Sequence, residues 1–208
     1  TTGDLAIGVD IFKNCTNLNK VTYSKSVKVA PVDLIKGARN VTEIIFPEGS
    51  TDYVQEGNVI YNAAGDKVIY AIKQLATTEL VIPANVTSIG NYAYKSQGNI
   101  TKVYIPDRVQ TIGNSAFFSN LKLEEVFIYK TKDDGTGKFV ADLDENGNYQ
   151  SSKINNLKSI GQSAFVNCQS LKVFDIPDSV ATIGTEAFVN CTSFGSTATE
   201  DKPFILPS

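Results

Sequence analysis

Short apolar runs of alternating type recur along the chain, as in Val103-Tyr104-Ile105, Val126-Phe127-Ile128 and Phe174-Asp175-Ile176. Alternation places the first and third side chains on one face and the middle one on the other, which predicts a short strand with an apolar inner face. Proline follows most of these runs. It lacks the N–H that a continuing ladder would use and fixes its own φ, so it ends the strand. A second apolar group comes at a fixed distance: Val, then Ile-Gly, then Ala with an aromatic ring, and Asn-Cys in the fullest copy, Ser170 to Cys191. This half predicts a tight turn and a short helical or 3₁₀ segment, where glycine supplies φ > 0 or a close approach between neighbours.

The position after the apolar run falls at Ser24, Pro47, Pro83, Pro106, Tyr129, Pro177 and Pro207, in steps of 23, 36, 23, 23, 48 and 30 residues. The steps read as a 23-residue unit carrying insertions of 13, 25 and 7 residues. A fixed period in this range means a solenoid, because no single unit buries its own apolar face and neighbours must stack. The fold class expected is an α/β repeat solenoid, right-handed, with seven short parallel strands on one face and helical or 3₁₀ turns on the other. One domain, 1–208, carries hairpin insertions near 53–72 and 130–155. Phe12, Tyr94, Phe117, Phe165 and Phe188, with Leu34 in the second coil, are expected to stack as a buried spine. Exposure of Ile112, Phe117, Ile183 or Phe188 would contradict this register. The chain starts in the back half of a coil, at Ile7-Gly8 and Ile11-Phe12, so an upstream strand or cap is expected. Its first residues lack the pattern of a secretion signal.

The combination of Ile-Pro, Ile-Gly and Ala-aromatic pairs in one register, from Ile7 to Pro207, resembles the BspA-like leucine-rich repeat family of bacterial and protist surface proteins. The resemblance implies a curved solenoid displayed outside the cell, adhesion to host or cell-surface proteins, and no enzymatic activity or cofactor.

Composition narrows the chemistry. The 208 residues are 42% hydrophobic with a formal net charge of −3, and no apolar run is long enough to span a membrane. No nucleic-acid partner is expected for so weakly acidic a chain, since a basic face is needed. The chain has no histidine, which removes the usual zinc sites and His-based dyads. An enzyme would have to rest on carboxylates, with Glu125 and Asp175 on neighbouring strands as the pair for a glycosidase. Asp142, Asp144, Asn146, Gly147 and Asn148 read both as the turn of a hairpin and as the opening of a calcium loop. Lys153 stands where that loop needs a bidentate Glu, so no metal site is assigned. Cys168 and Cys191 share one offset in adjacent coils, within reach of a disulfide, and are read as free thiols acting as small core residues. Five Asn-x-Thr triplets, starting at Asn14, Asn40, Asn85, Asn99 and Asn190, follow from the repetition itself.

The middle residues of the strands form the outward row: Thr22, Ile45, Val81, Tyr104, Phe127, Asp175 and Ile205. Four successive members, Ile45 to Phe127, are large and apolar where a solvated face would use polar residues. Beside them runs a charged row of Lys20, Glu43, Glu79, Lys102 and Glu125. An apolar centre with a charged rim fits a protein interface. The candidate partner-binding residues are therefore Ile45, Val81, Tyr104, Phe127, Lys102 and Glu125, with a glycan stacked on Tyr104 and Phe127 as the second reading. A third reading is that the insertion after Lys130, or a second copy of the chain, covers the row.

Overall fold

The computed structural model describes residues 7, 11–24, 31–35, 38, 40–48, 50–72, 74–152 and 155–197. Two parallel strands, β1 (Lys20–Thr22) and β2 (Glu43–Ile45), flank a one-turn helix, α1 (Pro31–Ile35). An antiparallel meander follows: β3 (Tyr53–Glu56), β4 (Val59–Asn62) and β5 (Lys67–Ala71). The regular coils then alternate long and short strands, β6 (Glu79–Val81), β7 (Ser88–Ile89), β8 (Lys102–Pro106), β9 (Thr111–Ile112) and β10 (Glu125–Tyr129). A hairpin of β11 (Thr131–Asp133) and β12 (Phe139–Ala141) interrupts them before β13 (Ser159–Ile160), β14 (Val173–Phe174) and β15 (Thr182–Ile183).

The expected solenoid is the observed fold. One parallel sheet runs β14-β10-β8-β6, and with β1 and β2 it accounts for six of the seven expected rungs among the described residues. The seventh, at Ile205, and the degenerate Val29-Ala30 lie outside them. Val103, Ile105, Val126, Ile128 and Phe174 point inward and are buried.

The opposite side differs from the expected helical turns, and the hydrogen bonds give the reason. The Ile-Gly pairs form a second parallel ladder, β15-β13-β9-β7, continued by β5 and then by the antiparallel β4 and β3. Beyond each Ile-Gly, backbone amides donate to the neighbouring coil: Tyr94 N–H to Ala116 O, Phe117 N–H to Ala164 O and Phe165 N–H to Ala187 O, each at 2.8 Å. Amides satisfied between coils cannot also close helical turns within one. Left-handed residues recur at two offsets four positions apart, Ser115 and Ser119 (φ 53° and 58°), Ser163 and Asn167 (54° and 62°), Glu186 and Asn190 (61° and 60°). Each reverses the chain where a helix would continue. The glycine of Ile-Gly serves close approach and not positive φ: a Cβ on Gly161 would lie 2.6 Å from the carbonyl carbon of Gly113 and from Asn114 N.

The spine forms as a ladder of rings. Centroids of Tyr94 and Phe117 are 5.6 Å apart, Phe117 and Phe165 5.2 Å, and Phe165 and Phe188 5.3 Å, with interplanar angles of 15°, 10° and 1°. Leu34 is buried in a second cluster with Tyr23, Val41, Ile44 and Ile60, against which Phe12 packs partly buried. Ile183 is 39% exposed, contrary to expectation. It still pairs with Ile160 in the correct register; β15 is the last strand of its ladder among the described residues, so no described coil covers the far side of Ile183.

The residue three positions after each spine ring caps the coil behind it. Asn120 Nδ2 donates to Tyr94 O (3.0 Å), Cys168 Sγ to Phe117 O (3.2 Å) and Cys191 Sγ to Phe165 O (3.0 Å). An amide and a thiol thus do the same work, which explains why Asn and Cys interchange at this offset. Both cysteines are free, and hydrogen bonding with Cys191 together with burial pushes the Cys168 thiol far up.

Candidate functional site

The outward row is where the sequence places it, with one qualification. Val81 is exposed, Ile45, Tyr104 and Phe127 are half-buried, and Thr22 and Asp175 are exposed. Tyr104 and Phe127 sit directly opposite each other on β8 and β10, and their rings meet edge to face at 5.7 Å. The charged row is a set of cross-strand ion pairs between opposed residues: Lys20 with Glu43 at 3.2 Å and Lys102 with Glu125 at 2.9 Å. Lys102 Nζ also lies 5.0 Å from the Tyr104 ring centroid and 5.8 Å from that of Phe127, within cation–π range. The hydrogen bond to Glu125 raises the Lys102 pKa.

The qualification comes from the insertion, which folds back over part of the row. Tyr149 packs on Tyr104 at 4.6 Å between centroids and on the buried Tyr129 at 5.0 Å. Burial raises the Tyr149 phenol pKa. Asp107 holds both ends of the segment: its carboxylate accepts Thr131 Oγ1 at 2.7 Å on the way out and Ser152 Oγ at 2.8 Å on the way back. Next to it, the Arg108 guanidinium lies 3.3 Å from the Phe139 centroid and steadies the hairpin. The third reading of the row is thus realised in part, at Tyr104. Neither Asp107 nor Tyr149 was identified from sequence. A ring in an otherwise polar insertion was the available signal for Tyr149; Asp107 had none, since Asp178 also follows a strand-ending proline.

The residues of the calcium alternative are engaged within the insertion. Asp144 Oδ1 accepts the amides of Asn146 (2.9 Å) and Asn148 (2.8 Å), the geometry of a tight turn closed by Gly147 at φ 79°. Asp142 is bound by Lys130 at 2.8 Å and Lys132 at 3.0 Å. Hydrogen bonds from those lysines hold the Asp142 carboxyl below its ordinary value, and the Asn148 amide does the same for Asp144. These carboxylates already have donors of their own, and no group of metal-ligating side chains converges among the described residues. For the glycosidase pair, the register sets Glu125 opposite Val173 and brings Asp175 beside Phe127. Glu125 is ion-paired to Lys102.

On the side of Phe127 away from Tyr104, the returning insertion and β14 enclose a cleft of about 710 Å³. Its walls include Glu125, Phe127, Ser152, Asn155, Asp175 and Asp178.

Comparison with known proteins agrees with this frame. Residues 5–59 and 68–195 match the BspA type leucine rich repeat region in six copies. Two solved structures share the fold: a leucine rich cell surface protein of Faecalibacterium prausnitzii A2-165 (18% identity, 93% of this chain and 63% of that one, TM-score 0.58) and the pneumococcal vaccine antigen PcpA (16% identity, 92% and 49%, TM-score 0.53). The chain therefore spans less than two thirds of either structure. No curated protein sequence matches it. No described helix is long and apolar enough to cross a membrane. The gap in the match between residues 59 and 68 falls on β4 and the turn into β5, where the meander departs from the repeat, and on either side of it the chain belongs to the BspA-type leucine-rich repeat family.

Proposed function

We propose that this chain is a non-catalytic binding module, displayed on a bacterial cell surface or secreted, that grips a protein partner through its strand face. The single observation that carries the reading is the half-buried aromatic cluster of Tyr104, Phe127 and Tyr149, set between the Lys102–Glu125 pair and the exposed Val81. Rungs hydrogen-bonded on both sides hold the two strand rings at fixed spacing, so little conformational entropy is lost when a partner docks. The cell surface protein and the vaccine antigen that share the fold support the location. Absence of catalysis is supported by the commitment of Glu125 to Lys102 and by the lack of histidine.

The experiment is a panel of immobilised host matrix and cell-surface proteins run beside a glycan array, with Tyr104→Ala/Phe127→Ala as the probe variant. A protein ligand is expected whose affinity falls by at least ~2 kcal/mol in the variant, as for aromatic anchors at an interface centre. Because Tyr149 packs on Tyr104, the melting temperature should drop slightly. A large drop, with the whole chain destabilised, would make the row structural and end the binding reading. Glycan binding lost in the variant, without any protein ligand, would transfer the face to carbohydrate.

A further inference from the structure

We infer that Cys168 and Cys191 are a dithiol that a small organic disulfide oxidises to an internal crosslink, stapling the coil of Phe165 to the coil of Phe188. The stacking register brings the two together. Phe165 N–H donates to Ala187 O at 2.8 Å and Asn167 N–H to Val189 O at 2.9 Å, so residues 168 and 191 follow at matched positions one coil apart. Neighbouring parallel rungs lie ~4.8 Å apart, inside the range of roughly 4.4 to 6.8 Å between Cα atoms that a disulfide spans. Both thiols are aimed the same way, Cys168 Sγ at Phe117 O (3.2 Å) and Cys191 Sγ at Phe165 O (3.0 Å). The chain has no second pair of this kind: Gln97 and Asn120 hold the offset in the preceding coils, and the exposed Cys15 faces Ala38 at the matched position.

The two thiols differ in the way a two-step exchange needs. Cys168 is fully buried, whereas Cys191 is half-buried and open to a reagent. A hydrogen bond from Cys168 favours the Cys191 thiolate and lowers its pKa, while that bond together with burial raises the pKa of Cys168. The thiolate is the attacking species, so Cys191 reacts first. It loses its proton to water and attacks one sulfur of the reagent R–S–S–R; the reagent's S–S bond breaks, Cys191–S–S–R forms, and R–S⁻ leaves and takes up a proton. Capping Cys191 removes the bond that held the proton on Cys168. Cys168 then gives up that proton and attacks Cys191 Sγ, the bond from Sγ to the R–S sulfur breaks, and a second R–SH departs. Two cysteine thiols are oxidised and one small disulfide is reduced to two thiols. The product carries no S–H, so Phe117 O and Phe165 O lose their donors, and the oxidation state reaches the backbone of the ring spine.

The test uses the full chain carrying Cys15→Ser, equilibrated without denaturant in glutathione buffers from fully reduced to fully oxidised, quenched with acid, unfolded and alkylated. Peptide mapping should find Cys168 joined to Cys191 in the oxidised buffers and both alkylated in the reduced ones. Adding Cys168→Ser should trap glutathione on Cys191. Adding Cys191→Ser instead should leave Cys168 taking up glutathione about tenfold more slowly, since its thiol is buried and lacks a thiolate neighbour. Serine keeps a hydroxyl donor for each carbonyl, so both variants retain the cap. In the oxidised chain the carbonyl carbon resonances of Phe117 and Phe165 should move, and melting should come at a higher temperature than in the reduced chain, because the crosslink closes a loop in the unfolded state. Two free thiols at every buffer ratio would overturn the proposal. Equal glutathione uptake by the two single variants would overturn the order of attack, and crosslinking that appears only in urea would make the bond a property of the unfolded chain. An oxidised chain that melts no higher than the reduced one would remove the staple.

Discussion

The molecule carries two sets of aromatic rings, one inside the coils and one outside, and they are ordered differently. Phe117, Phe165 and Phe188 lie almost parallel because a repeat offset translates each ring from one coil to the next, and the first two are completely buried. Tyr104, Phe127 and Tyr149 meet at 36° to 69°, half-buried, and the third ring comes from the insertion. Repetition therefore dictates geometry only where coils must stack. Outside, the same strands supply fixed positions on which side chains and insertions vary freely.

The comparison breaks most visibly if an inner ring is removed. Phe117→Ala should cost about 3 to 5 kcal/mol, since a cavity opens between two stacked neighbours that are held by their own coils; urea denaturation measures it, and a loss under about 1 kcal/mol would mean that the spine is not what holds the coils. Asp107→Ala should cost less, about 1 to 3 kcal/mol, by leaving the Thr131 and Ser152 hydroxyls without their acceptor. Its effect should be local: hydrogen exchange should quicken over 130–152 and stay unchanged around Phe117. Uniform acceleration would show that the insertion and the coils are one cooperative unit.

Acid gives the gentlest separation. The carboxyls of Asp142 and Asp144 are held below the ordinary value of 3.8 by their lysine and amide donors. A depressed folded-state pKa contributes stability that is complete above the unfolded value and is lost as pH falls through the folded one. Below pH 3.8 the turn at Asn146 to Asn148 should loosen, seen in its amide resonances, while the rings of Phe117 and Phe165 keep their shifts. Simultaneous loss of both would contradict the separation.

The coils were legible because each position is written several times over. The inward row, the spine and the shared offset of Cys168 and Cys191 all follow from counting. The second ladder was not, since two residues such as Thr111-Ile112 are too short to show alternation. Nor were the left-handed turns, although Ser and Asn at their two offsets are residues that tolerate this conformation or turn readily; Tyr92 and Glu186 hide the pattern. The outward rings were found, but their covering was not, because the contact of Tyr149 with Tyr104 joins residues 45 positions apart in sequence that no repeat relates.

One consequence lies in how β13 pairs with β9. Thr111 meets Ser159 and Ile112 meets Ile160 as if the intervening insertion did not exist, and the segment leaves and re-enters at neighbouring points, with Tyr129 bridged to Ser151. Lengthening the tip between those points leaves the pairing of β9 with β13 in register. Selection for a new surface and selection for a stable scaffold thus act on separate stretches of the gene, and a lineage that keeps the second can revise the first repeatedly.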